Sequence, residues 1–119
     1  EIPAFLHSLN VVPAEIARFD RLLKGNIAEE PENIISGSGY VLHTLEASLW
    51  CLLTTSTYRE AVLKAVNLGE DTDTTAAVTG GLAGLIYGWN SIPGHWLLQL
   101  ARRDDIEELA ERMAARINL

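Results

Sequence analysis

This sequence is short of cysteine, of positive charge and of long apolar runs, and each shortage excludes a class of protein. A single cysteine, Cys51, rules out an intramolecular disulfide framework. Its setting, Leu49-Trp50-Cys51-Leu52-Leu53, marks a buried thiol and not a nucleophile, and a cytoplasmic location is expected. Nine basic against sixteen acidic residues leave a formal net charge of −7, the wrong sign for a nucleic-acid duplex as partner. No apolar stretch reaches the ~20 residues of a membrane span. Nor does any stretch show the charged, apolar and small-residue order of a secretory signal, so no membrane partner is expected. What remains is a globular composition, 48% hydrophobic and 21% charged, in 119 residues, which is one domain or part of one. The start at Glu1-Ile2-Pro3, without Met, sets the expectation of a fragment or processed chain.

Strands are missing too: no run alternates apolar and polar residues for long enough. The expected fold class is all-α, an orthogonal helical bundle spanning residues 1–119. Val12-Pro13-Ala14-Glu15 opens a first helix that Gly25 ends, with Ile16, Phe19, Leu22 and Leu23 on its buried face. Asn26 to Gly39 reads as a long loop, a length that is uncommon unless it serves a site. Tyr40 to Thr54 is a central helix, apolar round most of its circumference. Thr57 to Asn67 is amphipathic, with Thr57 as cap and Gly69 as stop. A fourth helix runs from Thr72 or Asp73 to Tyr87, a turn follows around Ser91-Ile92-Pro93-Gly94, and a last amphipathic helix covers Asp104 to Ile117.

The fourth helix breaks two rules at once. Its body is built from Ala76, Ala77, Gly80, Gly81, Ala83 and Gly84, although glycine within a helix costs about 1 kcal/mol relative to alanine. Gly80, Gly84 and Gly88 share one stripe, which predicts close approach of neighbouring helices, with Val78, Leu82, Leu85 and Ile86 packed on the other faces. At its start stand Asp71-Thr72-Asp73-Thr74. Residues i and i+2 do not share a helix face, so Asp71 and Asp73 converge only if Asp71 lies before the helix, in a turn supplied by Gly69. With Thr74 they offer three hard oxygen donors, suited to Mg²⁺, Mn²⁺ or Ca²⁺. Ordinary helix capping explains the same residues, and at this point both readings stand.

The run Gly69–Gly88, GEDTDTTAAVTGGLAGLIYG, resembles the C-terminal signature of the ADP-ribosylglycohydrolase family. The upstream Ser36-Gly37-Ser38-Gly39-Tyr40-Val41-Leu42-His43-Thr44-Leu45-Glu46-Ala47 and the downstream Trp89-Asn90-Ser91-Ile92-Pro93-Gly94-His95-Trp96 are similar to its flanking segments. The likeness runs from about Ile35 to Leu97. It implies the C-terminal part of a larger all-α domain that hydrolyses the bond between ADP-ribose and a protein side chain or related acceptor, with two Mg²⁺ or Mn²⁺ ions. It puts Asp71, Asp73 and Thr74 in the places of metal ligands, and Ser38, Gly39 and Tyr40 near the ADP-ribose, with a helix-start packing role equally open for Tyr40. The expected partner is an ADP-ribosylated protein or an ADP-ribose-containing small molecule.

The family's other metal ligands, a Glu and a Thr-Asp-Asp run, have no counterpart here: Arg103-Asp104-Asp105 is an ordinary acidic helix start. The catalytic residues are expected in an N-terminal half outside this chain, and the chain by itself is expected to be inactive. The alternative is a non-catalytic structural or interaction domain that keeps the fold, like a crystallin-type relative. His43 is expected in the core or behind the site; His7 and His95 are expected in solvated loops; Ser36 and Ser38 lack a sequence-local base; Trp50, Trp89 and Trp96 read as packing residues; and Glu29-Glu30-Pro31-Glu32 reads as a solvated loop. A bundle lacking half its helices leaves an apolar face uncovered, so pairing with the missing N-terminal half or self-association is expected.

Overall fold

Pro13 takes the first helical position, where its fixed φ is favourable and its missing N–H costs nothing, and α1 runs Pro13–Ala17. The computed structural model describes residues 4–5, 8–9 and 11–117, so His7 lies outside the described residues. The first helix does not run through to Gly25 as expected. Arg18 N–H bonds to Glu15 and Phe19 N–H to Ile16, a tightening to 3₁₀ spacing that ends α1, and the chain restarts as α2, Asp20–Leu23. The segment expected as a loop is likewise not irregular. It holds two 3₁₀ turns, Ile27–Glu29 and Glu32–Ile34, which drop Ile27 and Ile35 into the core beside Ala47, Trp50, Cys51 and Ala65. The Trp50 indole N–H donates to the Glu30 carbonyl at 2.8 Å, fastening this segment across the next helix. Glu30 is therefore half-buried and not simply part of a solvated loop.

That helix, α3, spans Val41–Leu53 and buries Leu42, Ala47, Trp50, Cys51 and Leu52 together with Thr44, Glu46 and Ser48. Its ends face outward at Val41 and Leu53. The next, α4, is Tyr58–Val66; the Thr57 hydroxyl accepts from Glu60 N–H at 3.1 Å while the Glu60 carboxylate accepts from Ser56 N–H, a reciprocal cap. Ala61 and Ala65 are fully buried, which lets α5, Thr72–Tyr87, lie close against α4.

The buried stripe of α5 is Thr75, Thr79 and Ala83, and not the glycines. A methyl at Gly80 would stand 3.2 Å from the Tyr58 hydroxyl and 3.7 Å from Val62, so the expected close approach occurs there. Gly81 and Gly84 face open space, and Leu85 and Ile86 are 85% and 63% exposed, so α5 is packed on one side only. The expectation of an all-round buried helix is corrected accordingly.

Gly88, at φ +80°, ends α5. After a 3₁₀ turn, Trp89–Ser91, the expected turn continues into a short helix, α6, Gly94–Gln99, which carries exposed His95. Trp89 is exposed, contrary to the packing role expected of it, whereas Trp96 lies beside Tyr58. The last helix, α7, is Arg103–Ile117 and buries no residue among those described. The described residues form an all-α fold with no strand, and no described helix is long and apolar enough to cross a membrane.

Candidate functional site

The start of α5 is held by hydroxyls. Thr79 Oγ1 donates to the Thr75 carbonyl at 2.8 Å, and Ser48 Oγ on α3 donates to the same carbonyl at 3.3 Å. Thr75 Oγ1 donates in turn to the Asp71 carbonyl at 3.1 Å. All three side chains are fully buried, and no buried side-chain polar atom among the described residues lacks a partner. This ladder ties the first turn of α5 to α3, so Asp71 stands on a rigid base.

The chain enters that base through two left-handed residues, Gly69 at φ +85° and Glu70 at φ +61°. Glycine adopts this at no steric cost; for Glu70 the cost is of order 1–2 kcal/mol. It is offset by bonds that close the turn onto the loop before α3: Asp71 N–H donates to the Gly37 carbonyl at 2.9 Å, and Ser36 Oγ donates to the Glu70 carboxylate at 3.1 Å. The two loops touch so closely that a methyl on Gly37 would collide with the Gly69 carbonyl, and one on Gly39 with the Asp71 carboxylate.

Asp71 thus precedes the helix, as the i, i+2 spacing requires, and occupies its N-cap position. Its side chain makes no well-formed cap bond to the α5 N–H groups. The Thr74 hydroxyl first, and then the neighbouring Asp73 carboxyl, hold Asp71 below the ordinary carboxylate value, with the Thr74 N–H a minor contributor. The Thr74 hydroxyl and the Asp73 carboxyl thus act on Asp71, whose own carboxylate lies against Gly39. Two carboxylates and a hydroxyl with no thiolate form a hard-donor set, and Mg²⁺ is commonly held by one or two carboxylates with waters completing its shell. Among the described residues no three His, Cys, Asp or Glu side chains gather into one metal-sized cluster.

On the other side of Gly39 lie Ser38 and Tyr40. The expectation that Ser38 lacks a nearby base is overturned: its hydroxyl is 2.7 Å from His43 Nδ1, across the first turn of α3. The Tyr40 ring is exposed and stands edge-on to His43, with centroids 5.1 Å apart, and Arg18 donates to the Tyr40 hydroxyl at 3.4 Å. Arg18, Tyr40 and His43, with Arg21, Leu42 and Glu46, line an open cavity of about 470 Å³. Glu46, buried, is paired with Arg21 at 3.6 Å. Sequence reasoning missed the pairing of Ser38 with His43, the left-handed Glu70 and the contacts that seat Gly37 and Gly39. The glycine alternation at 37 and 39 is the signal that pointed to a close backbone approach.

The fold and junction define an all-α domain with an acidic, oxygen-donor helix start clasped by a glycine loop. A family model described as ADP-ribosylglycohydrolase matches residues 2–119, and the chain belongs to that family. It is 43% identical over 89 residues to ADP-ribosylarginine hydrolase Tri1 of Serratia proteamaculans (strain 568), covering 75% of this chain and 24% of that protein. Over 89 residues it is 37% identical to ADP-ribosylarginine hydrolase Tri1 of Pseudomonas putida (strain GB-1), with the same coverage. With the ADP-ribosyl-(dinitrogen reductase) glycohydrolase of Rhodospirillum rubrum it shares 40% over 63 residues, 53% of this chain and 21% of that protein. The chain thus spans about a quarter of the length of these curated relatives.

Proposed function

We propose that this chain forms one wall of a Mg²⁺- or Mn²⁺-dependent ADP-ribosylglycohydrolase site, the rest of which lies on sequence outside it. The observation that carries the reading is the Asp71 carboxylate: placed at the N-cap yet making no well-formed cap bond, it sits with Asp73 and Thr74 against the glycine loop. Capping alone gives no reason for the left-handed Glu70 or for the collision-tight Gly39 contact.

Asp71, Asp73 and Thr74 would hold the ion. When bound, such an ion supplies charge that orients ribose hydroxyls and a water beside the glycosidic bond. The chain's own residues do the rest. The hydroxyl ladder of Thr75, Thr79 and Ser48 keeps the acids in place. Gly39 leaves room for the carboxylate, and Ser38, Gly39 and Tyr40 present hydroxyl, backbone and ring to ADP-ribose across the exposed junction. The substrate would be an ADP-ribosylated protein or an ADP-ribose-containing small molecule, in keeping with relatives named for ADP-ribosylarginine. With a partial donor set, the chain alone is expected to bind one ion weakly and to hydrolyse nothing.

Titration with Mn²⁺ tests this: the chain binds, and Asp71→Ala/Asp73→Ala loses most of that binding. Equal affinity in both removes these aspartates from the ligand set. A hydrolase assay on the longest polypeptide from the same gene separates an enzyme from a structural domain that keeps only the fold.

A further inference from the structure

We infer that His43 is a positioning residue for the 37–40 loop, fixing Gly39 and Tyr40 relative to Asp71 through the Ser38 hydroxyl. The inference rests on the reading that this junction receives ADP-ribose.

Bond lengths single out His43. The other bonds that hold Ser38, two within its loop and one to α3, are long: its N–H to Ser36 Oγ at 3.3 Å, its carbonyl to the Thr44 hydroxyl at 3.4 Å, and its Oγ to the Tyr40 N–H at 3.5 Å. Contacts of that length contribute little. The Ser38 Oγ to His43 Nδ1 bond, at 2.7 Å, is the short one. His43 is anchored on the first full turn of α3, whose neighbours Leu42 and Thr44 are buried, so the imidazole is a fixed post and the loop is what it holds. The same ring meets the Tyr40 ring edge-on, restricting the aromatic face that the site would offer a ligand. Half-buried and outside the apolar cluster around Trp50, His43 is not a core-filling residue.

The imidazole chemistry supplies the test. An Asn side chain places a polar atom near where Nδ1 stands, whereas Gln places one near Nε2, so His43→Asn keeps the bond to Ser38 and His43→Gln loses it. Amide hydrogen exchange on the 119-residue chain reads the loop directly. His43→Ala, His43→Gln and Ser38→Ala should each speed exchange roughly fivefold at the Asp71 N–H, which donates to the Gly37 carbonyl of this loop at 2.9 Å, the effect of losing one hydrogen bond's worth of loop stability. His43→Asn should stay near the wild-type rate, and Ser38→Ala/His43→Ala should match the single variants. Calorimetry with ADP-ribose should show the same ordering, with affinity falling about tenfold in the Ala and Gln variants and recovering in Asn. The Asn and Gln variants, which share one amide group and differ by a methylene, keep the comparison decisive if His43→Ala fails to fold. Wild-type exchange rates in His43→Gln, or equal behaviour of Asn and Gln, would overturn the assignment. Absence of ADP-ribose binding by the wild type would instead strike the reading of the site for this chain, while the exchange rates still decide the role of His43.

Discussion

Substituting Gly39 by alanine separates the stability of this junction from its chemistry. Gly39 is not among the residues with positive φ, so alanine fits its backbone, and the loss of chain freedom in the unfolded state favours the variant by about 0.4–1 kcal/mol. The added methyl would lie 3.4 Å from Asp71 Cγ and 3.8 Å from its Cβ, an ordinary distance, but well inside contact with Oδ2. The carboxylate must swing by about 1 Å to restore normal contact. That rotation leaves the rotamer minimum and bends the contact with the Thr74 hydroxyl, at about 0.5–1.5 kcal/mol. The two terms nearly cancel, so the melting temperature should move by no more than a few degrees. Mn²⁺ affinity should nonetheless fall about 10- to 100-fold, the usual effect of losing the group that orients a ligand. Gly37→Ala is the control with the opposite profile. Its methyl would meet the Gly69 carbonyl, with Leu68 Cβ 3.5 Å away, and that backbone cannot retreat without straining the Asp71 N–H bond to Gly37. The expected cost is about 1–3 kcal/mol, a drop of roughly 4–8 °C per kcal/mol. Thermal melts and Mn²⁺ titrations on both variants make the comparison. Undiminished Mn²⁺ affinity in Gly39→Ala, or a wild-type melt in Gly37→Ala, would refute the seating described here.

Three further outcomes are expected. Burial pushes the Cys51 thiol up to about 11, against a weaker opposing pull from Lys64, so native protein should resist iodoacetamide at pH 8 and react once unfolded in urea. The sign follows from linkage: with the folded pKa above the ordinary 9.0, Cys51 supports stability below pH 9, and that support is lost as pH rises through 11. Trp50→Phe removes the indole bond to Glu30 and leaves a smaller aromatic platform under Lys64, whose Nζ lies 3.6 Å from the Trp50 ring centroid; a loss of about 1.5–3 kcal/mol in urea melts is expected. Finally, α7 exposes Ile106, Leu109, Met113 and Ile117 on one face, with Asp104, Asp105, Glu107 and Glu108 outnumbering Arg103 toward its start and Arg112 and Arg116 toward its end. A second copy laid antiparallel sets opposite charges side by side, so concentrated protein should dimerise and Leu109→Glu/Met113→Glu should not. A monomer by light scattering at high concentration refutes this.

Helix positions were legible wherever local chemistry decides them. Thr57 with Glu60 starts α4, Gly88 ends α5, and the apolar periodicity of α3 and α7 places them to within a residue or two. Reading failed where the outcome depends on packing from elsewhere. Ile16, Phe19, Leu22 and Leu23 fit one continuous helix, but the chain tightens at Phe19 and splits it in two. The 26–39 segment looked featureless because its structure comes from seating Ile27 and Ile35 on α3, and neither residue announces that partner. The glycines of α5 misled for a related reason. A small residue permits close approach without requiring it, and here Thr75, Thr79 and Ala83 take the buried stripe while Gly81 and Gly84 face open space.

The same division runs through the site. That Asp71 must sit before the helix follows from a 3.6-residue repeat alone, and the left-handed turn that puts it there was announced by Gly69 but not by Glu70, a residue that adopts φ > 0 only under constraint. The constraint comes from Ser36 and Gly37, more than thirty residues earlier, through bonds that exist only because α3 and α5 are already packed. Gly39 and His43 belong to the same class: their partners, Asp71 and Ser38, are set by where the loop lies and not by any local preference. Local sequence therefore discloses which atoms this junction can offer a ligand, and the packing of α3 against α5 decides whether they are offered together. A variant that loosens that packing at a distance, such as Ser48→Ala on the hydroxyl ladder, should weaken Mn²⁺ binding although residue 48 touches none of the proposed ligands' side chains. Unchanged Mn²⁺ affinity in that variant would show that the acids are held by the first turn of α5 alone.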